Sequence, residues 1–361
     1  MTLLTVNAGS SSVRLALFAV QAGRPVAIAR QRLERDGSPP ARQLRAFLSA
    51  HPQVPERVAH RVVHGGPELT RSCLIDHACE AGIARAAALA PLHNPIALAW
   101  IAATRAALPH AIEVAAFDTA FFAALPEVAA TYALPLELIR RYALRRYGFH
   151  GLAHEAMWRA HREAEPEARK VISFQLGGGA SAAAILDGRP VDTSMGLTPM
   201  EGLVMATRSG DLDPGLVTFL GREAQMSPVD IERLLDDESG LLGLSGESSD
   251  LRVLLASERP ASRLAVEVYV QRARKYLGAY LAVLGGADAI LFGGGVGEHL
   301  AEVRARILDG FDWCGLEIDP ARNQAPEPRR ISADQSRISA WVVPVDEETR
   351  LAEEALAIAP G

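Results

Sequence analysis

Two stretches of the sequence share one pattern: an apolar strand, a turn of small residues and a second apolar strand. Residues 3–18 (LLTVNAGSSSVRLALF) hold the first copy, and residues 170–186 hold the second, with Gly177–Ser181 as its turn. A tight β-hairpin needs only one or two glycine or asparagine residues, so these longer runs of small residues favour a backbone N–H cradle for an anion. An ordinary surface turn is the alternative for either copy alone. Two halves that open alike predict a duplicated domain with a ligand between the halves.

The size and charge of the chain narrow the class of protein. Its 361 residues exceed what one compact core usually holds, so two domains are expected. A net charge of -6 argues against a general nucleic-acid or membrane-surface binder. Neither a secretory signal nor an apolar run of membrane-spanning length is present in the sequence. The cysteines Cys73, Cys79 and Cys314 show neither metal-ligand spacing nor a disulfide framework. We therefore expect a soluble, cytoplasmic protein without nucleic-acid or membrane partners.

Hydrophobic periodicity predicts the other elements. Further strands are expected at 57–63, 113–117 and 289–292, and helices around 44–48 and at 78–90, 94–108, 264–284 and 349–358. A third glycine-rich turn, Gly293–Gly297, follows an apolar strand. Three such turns indicate a nucleotide, although none matches the P-loop or the dinucleotide-binding fingerprint.

Ten short motifs resemble, in the same order, those of the acetate and propionate kinase family within the actin, sugar kinase and Hsp70-like superfamily. They run from Val6 to Glu348 and include NAGSSS (7–12), HRVVHGG (60–66), YGFHG (147–151) and VPVDEE (343–348). The resemblance implies an α/β fold of two RNase H-like domains with the active site in the interdomain cleft. It also implies an N-terminal domain of residues 1–147 completed by a helix at 347–361, a nucleotide-binding domain of residues 148–346, and a homodimer.

The same resemblance implies a reaction. The γ-phosphoryl group of ATP would move reversibly to acetate, giving acetyl phosphate and ADP, with Mg²⁺ on the polyphosphate. Such a transfer needs cationic groups, a metal and an aligned nucleophile. The family match supplies catalytic residues at Arg61, His93, Asp118, His150 and Arg208, and metal ligands at Asn7 and Glu347. Arg61 would bind the substrate carboxylate, while His150 and Arg208 steady the phosphoryl group. We expect Asp118 to fix an arginine or a metal-bound water, because a carboxylate nucleophile has no proton to remove at neutral pH.

Two binding regions follow from the match. The acyl pocket would be formed by Arg61, Val63, Leu92, Phe149 and Pro199. The nucleotide would be bound by Ser10, Ser12, Arg14, Gln175, Leu176, Gly177, Gly178, Gly179, Asp250, Leu251, Arg252, Gly295, Val296, Gly297, Glu298 and His299. The sizeable apolar lining predicts a small acyl pocket. Since one extra methylene is worth only about 1–3 kcal/mol, acetate should be preferred, propionate should be weaker and butyrate poor.

At five positions the sequence departs from the family pattern: Arg14 stands for lysine, Gln175 for histidine, Gly178 for asparagine, and His299 and Asp346 for asparagine. All but Asp346 are expected on the nucleotide side. The chain has 35 arginines and 2 lysines, so Arg14 fits its composition, although a guanidinium fork binds phosphate differently from an ammonium group. The five departures therefore leave open how tightly the protein binds ATP and, to a lesser degree, which compound donates the phosphoryl group. ATP is favoured over pyrophosphate because Gly295 and Val296 leave the adenosine pocket lined by small residues.

Each candidate residue has a plainer interpretation. His93 would cap the helix that begins at Asn94, Asp118 would form a turn, and Glu347 and Glu348 would be acidic residues in the first turn of the following helix. Within that pair, the match makes Glu347 the metal ligand and Glu348 the helix-start residue. The alternatives for the whole protein are a kinase for propionate or a longer acid, an acyl-phosphate hydrolase, and a non-catalytic, nucleotide-dependent sensor. The presence of Arg61, Asp118, His150, Arg208 and Glu347 argues against the sensor.

Overall fold

The computed structural model describes residues 1–9, 12–34, 36–327 and 329–359. Its strands are β1 Thr2–Ala8, β2 Ser12–Gln21, β3 Arg24–Glu34, β4 Arg57–Val62, β5 Cys73–Leu74, β6 Ile112–Phe117, β7 Lys170–Leu176, β8 Ala180–Leu186, β9 Arg189–Thr193, β10 Ala289–Gly293 and β11 Ser339–Val342.

The helices follow the same order along the chain. They are α1 Pro40–Ser49, α2 His77–Ala86, α3 Asn94–Ala107, α4 Glu127–Ala130, α5 Leu136–Tyr142, α6 Gly151–Ala164, α7 Pro214–Glu223, α8 Pro228–Asp237, α9 Gly240–Ser245, α10 Leu251–Ala256, α11 Pro260–Leu284, α12 Gly294–His299, α13 Ala301–Leu308, α14 Pro320–Asn323 and α15 Glu347–Ala357, with 3-10 helices at Phe121–Ala124 and Asp312–Cys314. Among the described residues, the longest helices are too short or too polar to cross a membrane.

The chain forms two compact units. Unit 1 consists of residues 1–123, 149–152 and 346–361, and unit 2 of residues 124–148 and 153–345. The C-terminal helix α15 thus packs with the N-terminal residues. Residues 124–148 group with unit 2. The domain boundaries inferred from the sequence, 1–147 and 148–346, stay predictions.

The two units have sheets of the same design. In unit 1 the strand order is β3-β2-β1-β4-β6-β5, and in unit 2 it is β11-β10-β7-β8-β9. The first sheet can be followed from β3 to β6 and the second from β9 to β11. In each, three consecutive strands are antiparallel, and two further strands run parallel to the third. Unit 1 adds only the short antiparallel strand β5 at its edge. The duplicated organisation that the two hairpins predicted is therefore present.

Both faces of the unit 1 sheet are covered. Successive side chains of a strand point to opposite faces, so Leu4 packs towards α1 and α3 while Leu3 packs towards α15. On the second face, Leu351 and Ala355 of α15 are fully buried. This packing brings the first residue of α15, Glu347, to the edge of the sheet where the parallel strands end.

Most predicted elements are confirmed, with three corrections. Residues 24–34, where the sequence predicts neither a helix nor a strand, form β3, an additional edge strand of eleven residues. The helix expected at 78–90 is α2 and ends at Ala86. The expected glycine-rich turn at Gly293–Gly297 is the end of β10 and the first turns of the short helix α12.

Candidate active site

Three of the predicted site residues lie at neighbouring strand ends of unit 1. Asn7 is near the end of β1, Arg61 is near the end of β4, and Asp118 follows β6 directly. The three strands are adjacent and parallel, so their carboxyl ends lie along one edge of the sheet. The Asp118 amide continues the ladder by donating to the Val62 carbonyl at 3.0 Å. Distant parts of the sequence are thereby brought together.

Arg61 and Asp118 form a buried, two-point ion pair. The Nε of Arg61 donates to both carboxylate oxygens at 3.0 and 3.1 Å, and its Nη2 donates to Oδ2 at 2.7 Å. The Nη1 of Arg61 donates to the Oδ1 of Asn7 at 3.0 Å. Both charged residues are largely withdrawn from solvent. The contact expected between Asp118 and an arginine is therefore present, and its partner is the predicted carboxylate-binding arginine itself.

Helix α15 contributes two carboxylates to the same edge. The Nδ2 of Asn7 donates to Glu347 at 2.8 Å and to Glu348 at 2.9 Å. Arg14, the cross-strand partner of Asn7, places its Nη2 2.8 Å from Glu347 and its Nε 3.0 Å from Glu348. Glu348, expected only to start the helix, is thus as much a part of this cluster as Glu347. Arg14 lies beside the candidate metal ligand, and its predicted contact with the nucleotide stays a prediction.

The charges in this cluster support one another. Burial alone would raise the pKa of Glu347, but the positive charges of Arg61 and Arg14 and the Asn7 hydrogen bond lower it to about 2, with a further contribution from His150. Burial raises the pKa of Asp118 above its ordinary value, and the charge of Arg61 opposes that shift. Glu347 is therefore held ionised at neutral pH, which is the state that a metal ligand requires.

Asp346 and Arg30 extend the cluster towards solvent. Asp346 caps α15 by accepting a hydrogen bond from the Thr349 amide at 2.9 Å. Arg30, on the unpredicted strand β3, donates to Asp346 at 2.5 and 3.0 Å and lies 3.7 Å from Glu348. The aspartate that replaces the family's asparagine thus has its own arginine partner, and this partner accounts for a departure that the sequence left unexplained.

The depressed pKa of Glu347 predicts a pH-dependent contribution to stability. The carboxyl group titrates near 4.5 ordinarily and near 2 in the folded protein, so its contribution is complete above pH 4.5 and is lost as the pH falls towards 2. The shift corresponds to about 3 kcal/mol. In urea unfolding, Glu347→Gln should therefore lower the free energy of unfolding by more at pH 7 than at pH 3. The control Glu353→Gln, on the same helix, removes only a half-exposed ion pair with Arg350 and should give a small loss at pH 7. A constant loss for Glu347→Gln would contradict the prediction.

The YGFHG segment is anchored to Asp118. The Gly151 amide donates to the Asp118 carbonyl at 2.9 Å, and a Cβ on Gly151 would collide with that carbonyl. His150 adopts a left-handed backbone conformation with φ of 57°. Phe149 is buried, and its ring meets His64 edge-on at 5.3 Å between ring centroids. Glycine at 151 is thus required sterically, and the segment holds His150 close enough to lower the pKa of Glu347.

The unit 1 residues of the predicted acyl pocket differ in exposure. Val63 and Phe149 are only 7% and 1% exposed, whereas Leu92 is 49% exposed. The next residue, His93, precedes α3, and its side chain makes no capping hydrogen bond to that helix. Asn94 instead holds the segment through its amide, which donates to the carbonyls of His64 and Ile83 at 2.9 and 3.0 Å. The plain interpretation of His93 as a side-chain cap is therefore wrong.

In unit 2, Arg208 is held by a carboxylate that the sequence did not identify. Its Nε lies 3.1 Å from the Oδ1 of Asp236, at the end of α8. Its Nη1 donates to the carbonyl of Pro199 at 3.3 Å, which links the predicted phosphoryl-binding arginine to a predicted acyl-pocket residue. The backbone is also tied to α8, because the Ser209 amide donates to the Leu235 carbonyl at 3.1 Å. Asp236 carries no motif of its own, so only the fold reveals it.

The turn between β7 and β8 is compact and open on one side. The Gly177 amide donates to the Gly179 carbonyl at 2.9 Å, and the Gly178 carbonyl accepts from the Ala206 amide at 3.0 Å. A Cβ on Gly178 would meet nothing within 4 Å, so this turn has room for a side chain there. Gln175 keeps its Oε1 buried, and within the described ranges no group donates a hydrogen bond to that atom. A donor such as a sugar hydroxyl or a metal-bound water would satisfy it.

The remaining predicted nucleotide residues lie in three places. The first group surrounds the start of α12, where Gly294 has a φ of 75° and Glu298 accepts from the amides of Gly294 and Val345 at 3.1 Å each. Near it are the exposed Gly295 and His299 and the residues between them. The second group is at α10, where Asp250 caps the helix and pairs with Arg252. The third is the first hairpin, where Ser12 begins β2 and Ser10 lies outside the described residues.

Comparisons with known proteins show which family the chain belongs to. The model of the acetokinase family matches residues 46–353. An acetate kinase of Solibacter usitatus (strain Ellin6076) is 47% identical over 307 residues, which are 82% of this chain and 74% of that protein. The chain belongs to the acetokinase family. An acetate kinase of Phocaeicola vulgatus is 44% identical over 308 residues, 83% of this chain and 77% of that protein.

Solved structures extend the agreement to the fold. The acetate kinase of Porphyromonas gingivalis is 33% identical and superposes with a TM-score of 0.89 over 98% of both chains. A propionate kinase of Francisella tularensis is 32% identical, with a TM-score of 0.90 over 99% of this chain and 100% of that one. The predicted family, the α/β fold related to actin and the sugar kinases, and the assignment as a phosphotransferase acting on a carboxylate are confirmed.

Proposed function

We propose that the protein is an ATP-dependent acetate kinase that reversibly transfers the γ-phosphoryl group of ATP to acetate. The observation that carries the proposal is the buried Arg61–Asp118 pair, joined through Asn7 to an ionised Glu347 at the carboxyl edge of the unit 1 sheet. This constellation combines a fixed guanidinium group for a carboxylate with an oxygen ligand for a metal. Within the acetokinase family, those are the functions that acyl phosphate formation demands.

Arg61 is suited to bind the acetate carboxylate. A guanidinium group has five N–H donors, and its hydrogen bonds to Asp118 and Asn7 within the described chain engage three of them. Two N–H groups, one on each terminal nitrogen, are thereby left for a substrate. Because Asp118 fixes the plane of the guanidinium group, the substrate carboxylate would be bound in a defined orientation.

Asp118 acts in this proposal as a positioning group for Arg61. All its described side-chain hydrogen bonds come from that arginine. Acetate is already ionised at neutral pH and offers no proton to a base. The expectation that Asp118 fixes an arginine is thus the function that its contacts favour.

The residues of unit 1 fit a Mg²⁺ ion that is bound mainly through phosphate and water. Glu347 offers an ionised carboxylate. Asn7 lies beside it with its Nδ2 towards Glu347 and with its Oδ1, the atom that could bind a metal, towards Arg61. In the described residues, no group of three or more His, Cys, Asp or Glu side chains could hold a metal by itself. Mg²⁺ on a nucleotide usually takes only one or two protein carboxylates and keeps several waters. Such an ion would neutralise negative charge on the polyphosphate, and Glu347 and Asn7 would hold it.

The phosphoryl group would be stabilised by Arg208 and His150. The guanidinium group of Arg208 is held in a fixed orientation, because it contacts both Asp236 and the Pro199 carbonyl. Positive charge fixed in advance stabilises charge on the phosphoryl oxygens without reorganisation during the reaction. The ATP phosphates would bind at the Gly177–Gly179 turn, where Gly178 is exposed and leaves room for a close approach to the backbone.

The acyl group is expected to be acetate. The sizeable apolar side chains of Val63, Leu92, Phe149 and Pro199 favour a short methyl pocket over a longer one. Propionate is the second candidate substrate, since the propionate kinase of Francisella tularensis resembles this chain about as closely as the Porphyromonas gingivalis acetate kinase does. We also propose, from the family resemblance, that the enzyme acts as a cytoplasmic homodimer.

The test is formation of acyl phosphate, trapped as the hydroxamate, from acetate, propionate and butyrate. Each acid is assayed with ATP and Mg²⁺, with ATP and a chelator, and with pyrophosphate. We expect turnover with acetate and Mg-ATP, less with propionate, and none after chelation. Preference for propionate would replace the substrate assignment, and turnover only with pyrophosphate would replace the donor. Phosphate release from acetyl phosphate without ADP would identify a hydrolase and contradict the proposal.

A further inference from the structure

Two cysteines of unit 1 face each other across a short loop. Cys73 lies in β5 and Cys79 lies in the first turn of α2, and their Sγ atoms are 3.3 Å apart. Asp76, between them, accepts a hydrogen bond from the Cys79 amide at 2.8 Å and so fixes the start of the helix. The pair is therefore held in place by a strand on one side and a capped helix on the other.

The geometry is close to that of a disulfide. The S–S bond is about 2.0 Å long, so the sulfur atoms need to approach by only about 1.3 Å. Cys79 is buried, whereas Cys73 is partly exposed, so a small reagent has access to one sulfur of the pair. Buried thiols also serve simply as small apolar groups. Cys73 and Cys79 differ from such purely structural thiols because their sulfur atoms are in direct contact and one of the two residues is partly exposed.

The two thiols differ in a way that suits stepwise exchange. The hydrogen bond between the two sulfur atoms lowers the pKa of Cys73, and nearby Arg71 adds to this effect. The same contact, together with burial, raises the pKa of Cys79. Cys73 is thus the sulfur that ionises first, and thiolate is the form that attacks a disulfide.

We propose that Cys73 and Cys79 are a redox modification site that forms a reversible intramolecular disulfide by exchange with a low-molecular-weight disulfide. The Cys73 thiolate attacks one sulfur of the small disulfide, forms a mixed disulfide and releases one thiolate. The Cys79 sulfur, as it loses its proton, then attacks the Cys73 sulfur and releases the second small thiol. Two protein thiols are oxidised by two electrons, and one small disulfide is reduced to two thiols.

The disulfide would staple α2 to the edge of the sheet. Cys79 packs in one apolar cluster with Val62 and Phe117, the neighbours of Arg61 and Asp118 in the sequence. A link between β5 and α2 restricts the unfolded chain around this cluster. From the small loop that it closes, we expect the midpoint of thermal unfolding to rise by about 4–8 °C on oxidation.

Peptide mapping tests the site directly. The protein is incubated with mixtures of oxidised and reduced glutathione, alkylated with N-ethylmaleimide, digested with trypsin and analysed by mass spectrometry. Residues 72–85 form one tryptic peptide that contains both cysteines, and Cys314 falls in another. We expect peptide 72–85 to lose two hydrogens and both alkylation sites, and to regain them after treatment with dithiothreitol.

Variants assign the steps. Cys314→Ser should form the disulfide as the wild type does, whereas Cys79→Ser should stop at a glutathione adduct on Cys73. The rise in the thermal midpoint should be present in Cys314→Ser and absent in Cys79→Ser. Recovery of peptide 72–85 with both thiols alkylated, even in the most oxidising mixture, would overturn the site. A disulfide that forms without raising the midpoint would overturn the stapling function.

Discussion

Replacing Asp118 with asparagine is expected to lower kcat/KM for acetate by at least about 100-fold. The substitution keeps the size of the side chain but removes the charge that holds both Nε and Nη2 of Arg61. Arg61 would then be free to turn towards Glu347, which already lies 3.6 Å from its Nη1. Initial rates of acyl phosphate formation at varied acetate should show a higher KM together with a lower kcat.

Stability should fall as well. Breaking a buried ion pair by removing one partner costs about 3–5 kcal/mol, and the nearby Glu347 places this case at the lower end, about 3 kcal/mol. Urea unfolding measures the loss. The matched control is Asp187→Asn, which makes the same chemical change in a two-point pair with Arg169 that is exposed on the surface of unit 2. That control should leave both the unfolding midpoint and the kinetics unchanged.

The kinetic pattern separates two functions of Asp118. A proton-accepting group would affect kcat and leave the acetate KM alone. A group that orients Arg61 affects both, and Arg61→Lys, which keeps the charge but loses the fork, should reproduce the rise in KM. Wild-type KM in Asp118→Asn would contradict the positioning function.

The sequence predicted the parts of the site that stand at the ends of regular elements. Asn7, Arg61 and Asp118 follow apolar runs that read clearly as strands, and Glu347 begins a helix with a clear pattern. Their grouping in one site was implied by the family resemblance, because the sequence alone does not show that β1, β4 and β6 are neighbours. The strand order explains that grouping, since adjacent parallel strands end at one edge of a sheet.

The missed features depend on contacts between distant segments. Strand β3 is exposed over most of its length, so its sequence lacks the alternation that marks a half-buried strand, and backbone pairing with β2 alone defines it. Because β3 was not predicted, Arg30 could not be predicted as the partner of Asp346. Glu348 was predicted as a helix-start residue because acidic side chains are favourable in the first turn of a helix. Its contacts with Asn7 and Arg14 come instead from the packing of α15 on the sheet.

The second large effect is expected at Arg208. Arg208→Ala should lower kcat by about 100- to 1000-fold, the range for loss of one preorganised donor to a charged transition state. The acetate KM should change little if Arg208 acts on the phosphoryl group and Arg61 holds the acceptor. Initial rates at varied acetate and varied Mg-ATP measure both quantities. A rise confined to the acetate KM would instead assign Arg208 to the carboxylate.

Asp236 tests how Arg208 is held. Asp236→Asn removes the charge 3.1 Å from the Nε of Arg208 but leaves the Pro199 carbonyl on Nη1. We expect kcat to fall by about 10-fold, because the guanidinium group keeps its charge and loses part of its orientation. The control is Asp237→Asn, the next residue on α8, which is exposed. Equal kinetics for the two variants would show that Asp236 does not position Arg208, and that the Pro199 carbonyl and the backbone contact of Ser209 with α8 are sufficient.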